Sequence, residues 1–449
     1  MLTAETAVAV PRDAVPREMI ERVVDARRRS DALFDIVRSE SLYDRPIPER
    51  HRIIFYVGHL EAFDWNLLQQ ALGVGMSRTS SSHAELDRLF AFGIDPVGGG
   101  LPSDARSDWP SLDVVRNYVS DVRSALDAAL ATVDFDATRM DASLRTPLST
   151  LLQVAIEHRL MHVETLAYML HRLPLDRKVS SDLRRESTLP PHSLAIPEMI
   201  SIPEGVVTLG LPRDGNNFGW DNEYEEHREQ VPAFQIDRYK VTNRQYLEFM
   251  TDGGYEKKAL WSEDDWNWKN AQGISHPAFW ENHGDAWSWR GMFELIPFDS
   301  ESSPQDWPVY LSHAEATAYA RWAGKSLPTE AQWQRAALGA GSGNADFLRW
   351  DPSPVGSFPP SQSALGVDEM VGNGWEWTST VFAPFAAFEP FPFYRGYSAD
   401  FFDGKHLVMK GGSPRTAACM LRPTFRNWFQ AHYQYAYVGF RCVSQSSPS

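Results

Sequence analysis

Two histidines stand four residues apart in the segment Glu157-His158-Arg159-Leu160-Met161-His162-Val163-Glu164. The surrounding stretch, 148–173, carries apolar residues at helical spacing, so His158 and His162 are expected one turn apart on the same helix face. Two imidazoles in that position can bind one metal ion. Glu164 lies about 240° around the helix from His158. A supporting role therefore suits Glu164 better than direct metal binding.

A third ligand must come from another helix, and His59 is the best placed candidate. It lies in the middle of an apolar-periodic segment, and its helix face is shared by Ala62, Phe63 and Asn66. The other candidates are His51, which we expect to be solvated, His83 and His171. His59, His158 and His162 would form a three-histidine site with open positions. The alternative is a set of histidines without a metal, and the spacing does not choose among Zn, Fe, Cu and Ni.

Helical segments dominate the first part of the chain. The apolar periodicity predicts helices over 16–38, 48–72, 110–132 and 148–173, which favours an antiparallel four-helix bundle. A loop of roughly 36 residues, too long for a simple connection, is predicted between the second and third helices. A proline-rich stretch follows the fourth helix. We predict a metal-binding bundle over 1–175, a linker over 176–198 and a second domain over 199–449.

The second part of the chain is built differently. Of the 16 tryptophans, 14 lie from Trp220 onward, and short apolar pieces alternate with Gly, Pro, Asn and Asp. Helices are predicted only over 242–250, 312–323 and 329–337, with Thr242 or Asn243 capping the first and Pro328-Thr329-Glu330 opening the last. We expect a compact, loop-rich α+β domain with aromatic side chains in its core.

Composition excludes several classes of protein. The chain has 449 residues with 43 Lys and Arg against 59 Asp and Glu, a net charge of −16, which disfavours nucleic acid as a partner. Apolar runs are too short for a transmembrane helix, so no membrane is expected, and the N-terminus does not resemble a secretory signal. The two cysteines exclude a disulfide scaffold and fit a cytoplasmic location.

Four strings in the second part are distinctive. They run Gly324-Lys325-Ser326-Leu327-Pro328-Thr329-Glu330-Ala331-Gln332-Trp333, Met370-Val371-Gly372-Asn373-Gly374-Trp375-Glu376-Trp377-Thr378-Ser379, Lys410-Gly411-Gly412-Ser413 and Gly439-Phe440-Arg441-Cys442. Alone they describe turns, a capped helix and buried tryptophans. Together, over about 199–443, they resemble the formylglycine-generating-enzyme domain, a C-type-lectin-like fold. The N-terminal bundle with its histidine segment resembles the DinB bundle. The pairing, in this order, resembles the ergothioneine sulfoxide synthase family.

This resemblance implies an iron(II) enzyme that uses O2 to join a sulfur donor to the imidazole ring of hercynine (trimethylhistidine). The family's metal histidines fall on His59, His158 and His162. The stretch that contacts hercynine falls on Arg426, Asn427 and Trp428. Some members follow that tryptophan with an aspartate that can pair with the substrate ammonium. Here Phe429 follows, so aromatic rings are expected to hold the ammonium.

The same resemblance places a catalytic tyrosine, a proton donor, within Tyr394-Arg395-Gly396-Tyr397. Tyr394 is slightly favoured over Tyr397, and packing in an aromatic loop is the alternative for both. The donor carries polar groups that need partners. Arg78, Arg88 and Arg106, in or beside the long loop, are the candidates that the sequence offers.

Several other functions compete with this one. A selenoneine synthase, which joins a selenosugar to hercynine, stands near parity because of Phe429 and because no tyrosine lies between Leu72 and Trp109. Protein formylglycine generation needs reactive cysteines, and the separation of Cys419 from Cys442 counts against it. A zinc DinB-type thiol transferase and a non-catalytic lectin-like binding module complete the alternatives.

Overall fold

The computed structural model describes residues 14–74, 81–91, 103–133, 146–179 and 196–445, except 216, 285 and 302. The chain divides into two compact units, Met1–Leu166 and Ala167–Ser449. The fifth helix of the chain crosses this division, so its last turns belong to the second unit. As predicted, the fold is α+β, with a helical first part and a second part that contains all of the described strands.

The first unit is built from helices. They are α1 (Ala14–Phe34), α2 (Ile53–Leu68), α3 (Ser81–Phe90), α4 (Leu112–Leu130) and α5 (Leu148–Arg172), with a 3-10 turn at Ser39–Tyr43. Four of these are the helices expected from periodicity. The buried positions of α4 show why the pattern works, because they recur at helical spacing: Val115, Tyr118, Val122, Leu126 and Leu130.

Helix α3 corrects one expectation. The segment between the second and third predicted helices is not a simple loop, because residues 81–90 form a helix inside it. Its sequence, Ser-Ser-His-Ala-Glu-Leu-Asp-Arg-Leu-Phe, has only three large apolar residues and ends after three turns. A pattern that short does not separate a helix from a loop.

Among its described residues, the second unit carries four shorter helices, α6 (Asn243–Thr251), α7 (Glu263–Gln272), α8 (His313–Trp322) and α9 (Glu330–Ala336). Thr242 caps α6 and Thr329 caps α9, each in a reciprocal bond pattern with the glutamine three residues on. The sequence did not predict α7. Ser262 caps this helix and three acidic residues fill its first turn, but its tryptophans do not give a clear apolar face.

The strands described in this unit are short and form four small sheets. They are β1 (Met199–Ile202), β2 (Gly205–Leu209), β3 (His227–Val231), β4 (Phe234–Asp237), β5 (Trp280–Asn282), β6 (Trp287–Arg290), β7 (Leu295–Pro297), β8 (Trp375–Val381), β9 (His406–Lys410), β10 (Asn427–Gln430), β11 (Val438–Gly439) and β12 (Val443–Gln445). The sheet orders are β1-β4-β12, β2-β3, β5-β6-β7 and β10-β9-β8-β11. The β8–β11 pair is parallel and the other pairs are antiparallel.

A buried charge cluster explains the distinctive strings of this unit. The fully buried Glu376 accepts hydrogen bonds from Arg441 at 2.7 Å and from the Trp333 indole at 3.0 Å. The Lys240 ammonium lies 3.1 Å from the same carboxylate and donates to the carbonyls of Glu369 and Gly372 at 2.6 and 2.9 Å. Three of the four strings thus supply members of this cluster, namely Trp333, Glu376 and Arg441, and a buried carboxylate needs such partners.

Candidate metal centre and aromatic cluster

Three buried imidazoles converge in the first unit. His59 on α2 and His158 and His162 on α5 are each at most 5% exposed. One ring nitrogen from each lies within 4.8 Å of the other two. The His162 Nε2 atom stands 3.3 Å from His59 Nε2 and 3.1 Å from His158 Nε2. The structure therefore brings together the three predicted metal-binding residues, which we call the histidine triad.

The separations within the histidine triad fit a shared metal ion. Two imidazole nitrogens bound to one ion at about 2.1 Å stand about 3.0 to 3.4 Å apart, depending on the bond angle. The contacts are hard to satisfy without an ion. His59 Nδ1 lies 2.7 Å from the carbonyl oxygen of Phe90, so Nδ1 carries the proton and Nε2 is a bare acceptor. A single Nε2 proton on His162 could serve His59 or His158, but not both.

Burial keeps these imidazoles in the form that metals bind. Desolvation lowers the pKa of His59 to about 4, although the Phe90 carbonyl opposes the shift. Desolvation and the neighbouring histidines lower the pKa of His158 and of His162 well below the usual value. All three are neutral near pH 7, and a metal ion meets no proton competition there.

Helix α3 positions the His59 ring. The Phe90 carbonyl at its end fixes the tautomer of His59, and the Phe55 ring stacks on that imidazole with centroids 4.7 Å apart. Gly58 makes the approach of α3 possible, because a Cβ there would lie 2.3 Å from the Phe90 ring. The bond from Tyr118 Oη to Asp87, at 2.6 Å, ties α3 to α4.

A buried ionic network lies beside the histidine triad, and sequence reasoning missed it. Arg159, 1% exposed, donates to Glu61 at 2.9 Å and to Asp64 at 2.6 Å. Arg123 joins Glu61 to Asp31. The signal was present in the sequence as acidic residues three apart inside an apolar helix, next to His59. In this network the Arg159 guanidinium is paired with two carboxylates of α2.

The remaining expectations for this unit have mixed outcomes. His51 is half-buried and stacks on Phe55 at 4.2 Å, so the expectation of a solvated ring is wrong. Asn66 is exposed, although it was expected on the inward face of α2. Glu164 is buried, at 8% exposure. His171 belongs to the second unit, where it hydrogen-bonds Asp351.

The second unit gathers the predicted tyrosines and tryptophan into one aromatic cluster, formed by Trp220, Phe382, Tyr394, Tyr397, Phe401 and Trp428. Tyr397 stacks on Trp220 with centroids 4.0 Å apart and meets Trp428 edge-on at 5.4 Å. Phe382 stacks on Trp428 at 4.2 Å. Tyr394 lies 5.4 Å from Tyr397 and is half-buried. Stacked faces of this kind can bind a quaternary ammonium.

The residues around Trp428 have different surroundings. Arg426 is buried and forms a two-bond ion pair with Glu330, at 2.9 and 3.1 Å. Its guanidinium also lies 4.1 Å from the Phe385 ring centroid. The Asn427 side-chain oxygen accepts from the Trp428 backbone at 2.8 Å. Phe429 stacks on Tyr433 at 4.5 Å. The Arg426 guanidinium also lies 5.0 Å from the ring centroid of Phe382, so this residue packs against the aromatic cluster.

The three arginines suggested for donor binding remain predictions. Arg88 and Arg106 are exposed. The Arg106 guanidinium lies 4.9 Å from the Tyr43 ring centroid. Arg78 lies outside the described residues.

Comparison with known proteins matches both parts of the chain to families. Residues 22–166 match the DinB superfamily, and residues 186–446 match the sulfatase-modifying factor enzyme 1-like domain. A hercynine oxygenase of Mycolicibacterium thermoresistibile is 31% identical over 97% of this chain and 96% of its own length. A hercynine oxygenase of Mycobacterium tuberculosis is 34% identical over 73% of this chain and 76% of its own. Ergothioneine biosynthesis protein 1 of Neurospora crassa is 27% identical over 92% of this chain and 56% of its own.

Within the described residues, no helix is both long enough and apolar enough to cross a bilayer.

Proposed function

The chain belongs to the hercynine oxygenase family, and from this premise we propose that it is an iron(II) enzyme that forms a carbon–sulfur bond on the imidazole ring of hercynine. The proposed reaction takes hercynine, a thiol and O2 and gives the sulfoxide and one water, so the ring C–H and the thiol S–H supply the two hydrogens of that water. The observation that carries the proposal is the convergence of three buried, neutral imidazoles.

His59, His158 and His162 would hold the iron. When bound, the iron supplies a place at which O2 is bound and activated. The protein contributes neutral ligands at working pH, a fixed His59 tautomer and burial that excludes bulk water. Imidazole ligands suit several metals, and the relationship to oxygenases is what favours iron.

The aromatic cluster would bind the trimethylammonium group of hercynine. A quaternary ammonium has no hydrogen to donate, so ring faces suit it better than a hydrogen-bond acceptor does. Trp428 offers an indole backed by Phe382 and flanked by Tyr397. Phe429 stacks on Tyr433, consistent with aromatic binding where other family members are expected to use an aspartate.

Tyr394 would act as the proton donor, with Tyr397 forming part of the substrate wall. Tyr397 is 9% exposed and packed between Trp220 and Trp428, whereas Tyr394 is half-buried and less enclosed. Replacing each tyrosine with phenylalanine separates the roles. Tyr394→Phe should lower kcat with KM for hercynine little changed, and Tyr397→Phe should change KM more than kcat.

The test is to load the metal-free protein anaerobically with iron(II), add hercynine and one donor, and admit air. Free cysteine, a cysteine-containing dipeptide and a selenosugar are compared, with products identified by mass spectrometry. Sulfoxide formed from a thiol supports the proposal. Product from the selenosugar alone would identify a selenoneine synthase instead, and zinc-dependent transfer without O2 would overturn the oxidative mechanism.

The proposal includes a cytoplasmic location. The chain has only two cysteines, Cys419 and Cys442, too few for a disulfide scaffold, and this fits a reducing compartment.

A further inference from the structure

A buried Tyr–His–Asp array lies in the second unit and has no part in the chemistry proposed above. Tyr437 is 2% exposed, and its hydroxyl lies 2.5 Å from His171 Nδ1. His171, 1% exposed, approaches the Asp351 carboxylate with Nε2 at 3.1 Å. The same Asp351 oxygen accepts from the Trp289 indole at 2.9 Å.

The proton positions in this array follow from its electrostatics. Burial alone would raise the pKa of Asp351, but the hydrogen bonds from His171 and Trp289 leave it below its usual value, so Asp351 is ionised. Burial lowers the pKa of His171 despite that carboxylate, so the imidazole is neutral. An ionised carboxylate can only accept, which places the imidazole proton on Nε2. The bare Nδ1 therefore accepts the Tyr437 hydroxyl.

This arrangement prepares Tyr437 for one-electron oxidation. A phenol that loses an electron becomes a strong acid, so oxidation is easier when a base already accepts its hydroxyl hydrogen bond. His171 is such a base, and Asp351 stabilises the imidazolium that results, as a carboxylate does for other catalytic histidines. Both groups are held in a dry environment, which strengthens the pairing.

A row of aromatic rings connects Tyr437 to less buried positions. Tyr168 lies 6.1 Å from Tyr437, and Tyr433 lies 6.2 Å from Tyr168, as ring centroids. Tyr435 follows at 5.6 Å from Tyr433, and both of these rings are half-buried. On the other side Tyr310 is 5.8 Å from Tyr437. Adjacent rings at these separations can pass an electron by short steps.

We propose that Tyr437, His171 and Asp351 form a redox-active tyrosine site that surrenders an electron to a one-electron oxidant reaching Tyr433 or Tyr435. The phenol O–H bond breaks, an N–H bond forms at His171 Nδ1, and the electron leaves through Tyr168 and Tyr433 to the oxidant. The products are a neutral tyrosyl radical and an imidazolium paired with Asp351. A thiol or another one-electron reductant restores the phenol, and the proton returns from His171.

The site would reduce oxidants that form during the proposed O2 reaction but do not react with its substrates. Only this origin of the oxidant rests on the proposed function. The redox chemistry itself belongs to residues 168–437 of the second unit and requires no metal.

The experiment uses the metal-free full-length protein and a photogenerated ruthenium(III) oxidant. Transient absorbance and electron paramagnetic resonance of frozen samples detect the tyrosyl radical. We expect a long-lived neutral radical in the parent protein, loss of most of that signal in Tyr437→Phe, and slower formation in D2O because a proton moves with the electron.

Two further variants separate redox from structural effects. Asp351→Asn keeps the side-chain volume but removes the charge that stabilises the imidazolium, so the radical should form more slowly and decay sooner. Tyr319→Phe is the matched control, because Tyr319 is also buried and packed against Tyr246 and Trp322. It should leave the long-lived signal intact.

An undiminished radical in Tyr437→Phe, no solvent isotope effect, or equal loss in Tyr319→Phe would overturn the proposal. If Tyr437→Phe does not fold, the Asp351→Asn kinetics and the isotope effect decide it. Because the protein contains no iron in this experiment, failure of the sulfoxide reaction leaves the result unaffected.

Discussion

The two units hold their chemically important side chains in different ways. In the first, regular helices place His158 and His162 one turn apart, and His59 is fixed by one carbonyl and one stacked ring. In the second, the aromatic cluster is assembled from loop residues and one short strand, by ring-on-ring contacts such as Trp220 on Tyr397. The chemically important groups of the first unit are thus three imidazole nitrogen atoms, and those of the second unit are the faces of packed aromatic rings.

The two units differ in what fixes the positions of these side chains. A helix sets the spacing of His158 and His162 through its own repeat, whereas the His59 ring is held by the end of α3 and by Phe55. An irregular segment has no repeat, and its positions depend on buried charges such as Glu376 and Glu330 that fasten loops together. Substitutions should therefore affect metal binding in the first unit and folding in the second.

The largest expected effect is on the histidine triad. His158→Ala removes one of three ligands, and since loss of a mere supporting partner costs 10–100-fold, we expect metal affinity to fall by at least about 100-fold. Titration with iron(II) or cobalt(II) followed by optical spectroscopy measures it. His51→Ala, which removes an imidazole that stacks on Phe55 but lies outside the triad, is the control. Unchanged affinity in His158→Ala would contradict the metal site.

The second prediction concerns the buried charge cluster of the second unit. Arg441→Met leaves Glu376 with Lys240 as its remaining cationic partner, so the free energy of unfolding should fall by about 3–5 kcal/mol. Urea denaturation measures this. Arg244→Ala, which removes a surface pair with Asp306, should cost at most about 1 kcal/mol. Equal costs for the two variants would show that the cluster does not fasten the strings.

The third prediction uses two histidines of similar acidity, one in each unit. Burial lowers the pKa of both His59 and His313 to about 4. A histidine in an unfolded chain has a pKa of about 6.5. At a pH between the folded and unfolded pKa values, each of these histidines therefore takes up a proton when the protein unfolds. The free energy of unfolding then falls as the pH drops through this range. Each should contribute a loss of about 3 kcal/mol between pH 6.5 and 4.

Bound metal distinguishes the contribution of His59 to stability from that of His313. Denaturation curves measured at several pH values, with and without bound metal, should show additional stability only where metal occupies the histidine triad. His59→Gln should abolish this metal-dependent part, and His313→Gln should leave it in place. Metal stabilisation retained in His59→Gln would contradict the assignment.

The smallest expected effect compares two glycines that each lie against a phenylalanine ring. A Cβ at Gly58 would approach Phe90 to 2.3 Å, and one at Gly254 would approach Phe249 to 2.2 Å. Each alanine variant should lose about 1–3 kcal/mol of stability through overpacking. Only Gly58→Ala should also weaken metal binding, because Phe90 holds the His59 ring. Thermal melts and metal titrations on both variants check this, and equal metal affinity would remove α3 from the site.

How much the sequence could predict follows the same division. Helical periodicity was enough to place His59, His158 and His162 together, and the capping residues Thr242 and Thr329 were readable from local chemistry. Helix α3 was missed because its apolar pattern is short. The carboxylates Glu61 and Asp64 inside an apolar helix were a local signal of a buried charge. Their pairing with Arg159, like the contacts of Trp428, joins residues far apart in sequence, and no local pattern identifies such partners. Resemblance to a family indicated the stretch around Trp428, but not the rings that surround it.

The Lys240 ammonium gives the second unit a particular independence. Its charge sits among two carbonyl oxygens and a carboxylate, surroundings that commonly receive an inorganic cation. Because this cation is covalently part of the chain, neither chelators nor metal starvation can remove it. The stability that Lys240 gives to the second unit is therefore independent of the supply of metal ions, unlike any stability that an ion bound to the histidine triad would give.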